Sequence, residues 1–200
     1  MKNLFNYCTA FALSLACLSC NNSGQEDSAK EAKDSNSAKI DSSNNKTVST
    51  VPVSVSKDDA KFVVDVSSGG MMEVQTGQLA QQKGMAKDVK DFGAMMEKDH
   101  TYLGDKLKTI ATAKNITIPT ALSPDQQKEI DDLAKKSGKD FDKAYISMMI
   151  DGHKKNIKAF EDEAKSGSDS DIRAFADSSL HTLNMHLNEA QKCHDMQKKM

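Results

Sequence analysis

Two stretches of this 200-residue chain set paired methionines ahead of a histidine: "MMEKDH" ends at His100 and "MMIDGH" ends at His153. In each, the second methionine (Met96, Met149) lies four residues before the histidine, one above the other on a helix. Thioether with imidazole favours copper, and imidazole with one carboxylate also suits zinc. Two further residues complete the set, each the polar member of an otherwise apolar helical stripe. Glu73 lies seven residues from Val66 and from Ala80, and His186 lies three from Leu183 and four from Ala190. A buried imidazole or carboxylate without a partner is costly. Glu73, His100, His153 and His186 must therefore bond one another or hold an ion.

Three chemistries compete for this pattern. A di-iron carboxylate site needs a Glu from each of two helices and a Glu-x-x-His from each of the others. Glu73 and Glu97-x-x-His100 supply half of that set, but Ile150 and Leu183 stand where the remaining glutamates belong. Iron oxidase chemistry is therefore the weakest candidate. A softer site of Glu73, His100, His153 and His186, with Met96 and Met149, would take copper or zinc, with Asp99 and Asp151 orienting the imidazoles. In the third reading there is no metal. Methionine fills the core of a bundle poor in aromatics, buried His–carboxylate pairs stitch helices together, and the domain is a structural or protein-interaction module. Nothing at this level separates the second reading from the third. No nucleophile–base pair, phosphate loop or basic stripe is present, and the formal charge of −2 gives no field for nucleic acid. Catalysis would have to come through a metal, and the expectation is a protein that is not an enzyme.

Helices must position these residues. A Ser56–Asp59 capping pair opens the first long helix, about Asp58 to Lys83, and Gly84 ends it. The second, about Ala86 to Lys114, carries Val89, Phe92, Met96, Leu103, Leu107 and Ile110 on one stripe. Ser123-Pro124-Asp125-Gln126 starts a short helix that stops at Gly138. The third long helix runs from about Lys139 to Lys165, and the fourth begins near Asp169. Short turns within each pair and one long connection between the second and third predict an all-α, ferritin-like four-helix bundle with a crossover containing a short helix. That topology puts His100 and His153 at one depth, about 20 Å from the same end, and His186 about a turn off level. Gly93 and Gly104 each cost about 1 kcal/mol relative to alanine inside a helix, which close helix approach would explain. Asp58-Asp59 and Glu161-Asp162-Glu163 read as solvated faces, and His181 falls off its stripe. Cys193-His194-x-Met196 has metal-binding residue types at the end of the chain.

Before the bundle, the first 19 residues read as a lipoprotein signal: Lys2, a short apolar stretch, then small residues preceding cysteine. Cys20 is the expected lipidated residue, with Cys17 as the alternative, and two or more acyl chains would hold the protein to a membrane. Residues 20–56 are rich in Ser, Asn, Lys and Asp and read as a disordered tether of about 30–36 Å r.m.s.. Residues 57–200 form the helical domain. The expectation is an exported protein of the cell envelope, on the periplasmic or surface side, whose membrane partner is reached through the anchor. Cys193 is then the one cysteine of the mature domain, so packing holds the fold.

The stretches "EVQTGQLA" (from Glu73), "VKDF" (from Val89), "MMEKDH", "FDKAYISMMIDGH" (from Phe141), "AFA" (from Ala174) and "LNMHL" (from Leu183) resemble the bacterial family called domain of unknown function 4142. The resemblance runs from Phe62 to Leu187 and implies a ferritin-like helical fold and an exported, outer-membrane-associated location. It implies no activity. His181 departs from it, since the family pattern implies proline there.

Overall fold

The computed structural model describes residues 27–44 and 55–199. Six helices follow in order: α1 Ser28–Asn44, α2 Lys57–Lys83, α3 Lys87–Ala113, α4 Pro124–Ala134, α5 Gly138–Ser166 and α6 Ser170–Lys199. Among the described residues there is no strand, and no helix is long and apolar enough to cross a membrane. The signal, Cys17 and Cys20 lie outside the described residues.

Local chemistry fixes the helix ends. The Asp59 amide donates to Ser56 Oγ (3.0 Å), and the Ser56 amide reaches back to Asp59 Oδ2 (3.4 Å), closing a capping box at α2. Ser123 and Gln126 do the same for α4, and Gln126 Oε1 also accepts from Ser68 Oγ (2.8 Å), tying α4 to α2. The α2–α3 pair packs closest where two glycines meet: a Cβ on Gly77 would lie 2.7 Å from the Gly93 carbonyl oxygen, and one on Gly93 2.7 Å from that of Gly77. Gly93 is thus explained by helix approach. Gly104 is not, because a Cβ there meets nothing within 4 Å.

α2 packs along α3 and α5 along α6, while α3 also meets α6 and α2 meets α5. Two apolar clusters fill the space between the four long helices. One contains Phe62, Leu103, Leu107, Ile157, Phe160, Ile172 and Leu183. The other contains Ala80, Val89, Phe92, Met96, Phe141, Tyr145, Met149 and Ala190. Glu73, His100, His153 and His186 belong to neither, and their positions along the four helices fall between the two clusters.

The N-terminal segment departs from expectation. Within residues 20–56, read as a disordered tether, Ser28–Asn44 is a helix packed against α2. Ala29, Ala32, Asn36 and Ile40 share one buried face at three-and-four spacing. Asp27 Oδ1 caps it by accepting from the amides of Ala29 (3.0 Å) and Lys30 (3.1 Å). Most of its anchoring is polar. Asn36 Nδ2 donates to the Thr117 carbonyl (2.8 Å) and Asn36 Oδ1 accepts from the Thr117 amide (2.7 Å). Lys39 Nζ donates to Thr117 Oγ1 (2.7 Å) and to the Asn115 carbonyl (3.1 Å). Composition registers missing apolar residues but not a polar fit to a loop some eighty residues away.

Asp59 and Glu163 are a second correction. Both were expected on solvated faces, and both are buried. Asp59 Oδ1 accepts from the Ser168 amide (2.9 Å) and Oδ2 from the Asp169 amide (3.0 Å), so it holds the α5–α6 turn as well as the start of α2. Burial, with Asp59 and Asp58 nearby, pushes the Glu163 carboxyl up to about 7.

Candidate metal centre

Each long helix turns one polar side chain to the same level. Glu73 comes from α2, His100 from α3, His153 from α5 and His186 from α6, and all four are buried. The imidazole centroids form a triangle with sides of 5.7, 5.2 and 5.3 Å. One nitrogen of each ring lies within 4.8 Å of those of the other two.

The outer nitrogens are committed. His153 Nδ1 lies 2.9 Å from the Met149 carbonyl oxygen, and His186 Nε2 lies 3.0 Å from Asp99 Oδ2. A carbonyl and a carboxylate only accept, so each neutral ring turns its single N–H outward. Burial, with the neighbouring rings, holds His153 down at about 4 and His100 well below the usual imidazole range. Burial also lowers His186, against the opposing pull of Asp99. All three rings are therefore neutral near pH 7. The inner nitrogens, His153 Nε2 and His186 Nδ1, consequently face each other 3.3 Å apart with two lone pairs and no proton between them.

His100 completes the triangle. Its Nδ1 lies 3.1 Å from Glu73 Oε2, and its buried Nε2 has no hydrogen-bond partner. Glu73 also accepts from Asn156 Nδ2 at Oε1 (3.2 Å), and burial pushes its carboxyl up to about 8. A protonated Glu73 donates to Nδ1 and leaves an N–H inward. An ionised Glu73 accepts from Nδ1–H and leaves Nε2 bare. A cation between the rings favours the second arrangement, since it needs a lone pair from each.

The six residues singled out in the sequence separate by role. His100, His153 and His186 converge. His186 was expected a turn off level, but Cβ atoms lean toward the N-terminus of their own helix. On antiparallel α5 and α6 that brings the two rings toward each other and closes the offset. Glu73 lies against the outer edge of His100, its Oε1 3.8 Å from His153 Nδ1. Met96 and Met149 pack within the apolar cluster containing Phe92 and Tyr145, and Met149 meets the triad through its carbonyl. Asp99 orients the ring across the bundle, His186, and Asp151 is exposed. Glu97, the glutamate of the di-iron pattern, is turned to Gln78 (2.8 Å) and Gln81 (2.6 Å) on α2.

One residue of the site carried no sequence signal. Asn156 lies one turn after His153 and holds Glu73. Tyr145 is fully buried, its hydroxyl without a partner and its pKa raised by burial and by Glu73 and Cys193. At the chain end, burial pushes the Cys193 thiol up to about 12, with its Sγ 3.8 Å from the Asp88 carbonyl oxygen. Cys193 is not one of the clustered donors.

The chain belongs to a family described as a domain of unknown function (DUF4142), whose model matches residues 44–193. No curated protein matches it. Among solved structures it is similar to a DUF305 fragment from Deinococcus radiodurans, with a TM-score of 0.62 and 8% identity over 73% of this chain and 99% of that one. At that identity the likeness speaks for the helical fold alone.

Proposed function

We propose that this member of the family binds one transition-metal ion between His100 Nε2, His153 Nε2 and His186 Nδ1. The carrying observation is the 3.3 Å approach of two imidazole nitrogens whose ring protons are drawn outward by the Met149 carbonyl and by Asp99. Metal–nitrogen bonds of about 2.0–2.1 Å in a tetrahedral set give nitrogen–nitrogen edges of about 3.3–3.4 Å. Two nitrogens thus already stand at a coordination edge, and the third closes the triangle by a small shift of His100. Outer partners that fix ring orientation, here the Met149 carbonyl, Asp99 and Glu73, are the usual support of imidazole ligands. Imidazole donors suit zinc and copper. Iron is disfavoured because Glu97 is turned away and Glu73 lies on the outer edge of His100.

The architecture reads as a ferritin-like four-helix bundle, with residues 114–137 as the long connection between α3 and α5. From the sequence, the chain is read as exported and held at a membrane through a lipid on Cys20. Palmitate labelling lost in Cys20→Ala supports that assignment, and labelling undiminished there but lost in Cys17→Ala moves it to the other cysteine.

The competing reading is a metal-free interaction module in which Glu73–His100 and Asp99–His186 merely join helices. Equilibrium dialysis with zinc and with copper separates the two. Metal binding predicts one ion per chain, lost in His153→Gln, and a stabilisation of about 2.7 kcal/mol at a hundred times the dissociation constant. Absence of saturable binding by either ion rejects it.

A further inference from the structure

Resting on the metal reading, we infer that the bound ion keeps an open coordination position and takes a small anionic donor that enters along the cleft beside His100. Three imidazole nitrogens leave a tetrahedral ion one position short, the pattern of a metal site that meets an exogenous ligand. Among the described residues no further His, Cys, Asp or Glu atom joins the three. The nearest carboxylates, Glu73 and Asp99, sit on outer ring nitrogens.

Access is one-sided. A cleft of about 1600 Å³ is lined by His100 and Glu73, whereas His153 and His186 are sealed behind them. The unpartnered Nε2 of His100, a residue 6% exposed, thus belongs to the one ring of the three that lines the cleft.

The glycines mark that path. Gly69 and Gly70 on α2 and Gly104 on α3 all line the cleft, and a Cβ on any of them meets nothing within 4 Å. Glycine in a helix interior weakens it relative to alanine, and helix approach does not explain these three as it explains Gly77 and Gly93. Gly104 lies one turn after His100, and a side chain there would lean back toward the α3 N-terminus, in the direction of the turn that carries His100. Its absence leaves the approach clear. The neutral imidazoles leave the ion's charge uncompensated by its ligands, and Leu103, Leu107 and Phe160 line the same cleft. The anion is drawn by that uncompensated charge at short range, against the carboxylates that share the cleft with Lys33, Lys61, Lys108 and Lys155. Binding is a ligand exchange: the anion donates a lone pair to the ion and displaces a solvent molecule, with no change of oxidation state.

The full chain loaded with cobalt(II), whose visible bands report coordination, is titrated with azide in the wild type, Gly104→Trp and Gly104→Ala. The inference predicts a saturable band change in the wild type and in Gly104→Ala. Gly104→Trp should show the same starting cobalt spectrum and azide affinity at least tenfold weaker. Gly70→Phe tests the facing wall if the tryptophan variant folds poorly by circular dichroism. Cobalt bands that azide does not alter, or equal azide affinity in folded wall variants, overturn this inference while leaving the metal site standing. Failure of cobalt and zinc to bind at all overturns the metal site, and the inference with it.

Discussion

The same helices bury polar groups at two levels and satisfy them in opposite ways. At the α5–α6 turn, Asp59 takes amide protons from Ser56, Ser168 and Asp169, so its acceptors are met by donors. At mid-length, His153 and His186 present lone pair to lone pair at 3.3 Å, and His100 Nε2 has no partner. A polar group that holds a fold together is closed by complementary groups. One left facing its own kind needs another account: a bound ion, as proposed at the triad, or a retained proton, as on the raised Glu163 carboxyl beside Asp59. The lesson is to ask which atom of each buried side chain is still free.

Breaking the two levels separately sharpens the contrast. His153→Leu removes an inward lone pair and no inward donor, so it should abolish saturable metal binding while the metal-free chain keeps its stability to within about 1 kcal/mol. Dialysis and urea melts of the same preparation check both halves. Asp59→Ala should do the reverse, costing about 2–4 kcal/mol through the lost cap and turn bonds and leaving metal affinity unchanged. Asp99→Asn keeps the shape beside His186 but weakens the acceptor that orients it. A competition titration should register affinity about 10- to 100-fold weaker.

The smallest effect concerns Glu163, which lies beside Asp59 and whose carboxyl is raised from 4.5 to about 7 in the fold. Folding favours its neutral form, so its contribution is fully present below the unfolded value and is lost as pH rises through about 7. Urea midpoints should therefore fall between pH 4.5 and 7, and Glu163→Gln should reduce that slope, leaving the share that the raised Glu73 carboxyl contributes. An equal slope in the variant would assign the pH dependence to other groups.

Much of the fold was legible because its signals are local. Ser56 with Asp59, Ser123-Pro124 with Gln126, and the glycines at 84 and 167 mark helix ends within a few residues. What escaped the sequence depends on distant partners. The α1 helix is anchored through Asn36 and Lys39 to residues 115–117, and Asp59 is buried by backbone amides more than a hundred residues further on. Three-and-four spacing points Glu73, His100, His153 and His186 inward. It cannot separate an inner ring nitrogen from an outer one, nor show that Asp99 serves His186 across the bundle. Those facts need coordinates, because they turn on ring orientation.

Nitrogen-15 shifts of the histidine rings, recorded before and after one equivalent of zinc, test the central claim most directly. The account predicts protons on His153 Nδ1 and His186 Nε2 in the metal-free chain. Zinc should then shift His100 Nε2, His153 Nε2 and His186 Nδ1 together. A proton resident between His153 and His186, with all three rings unmoved by zinc, would contradict it.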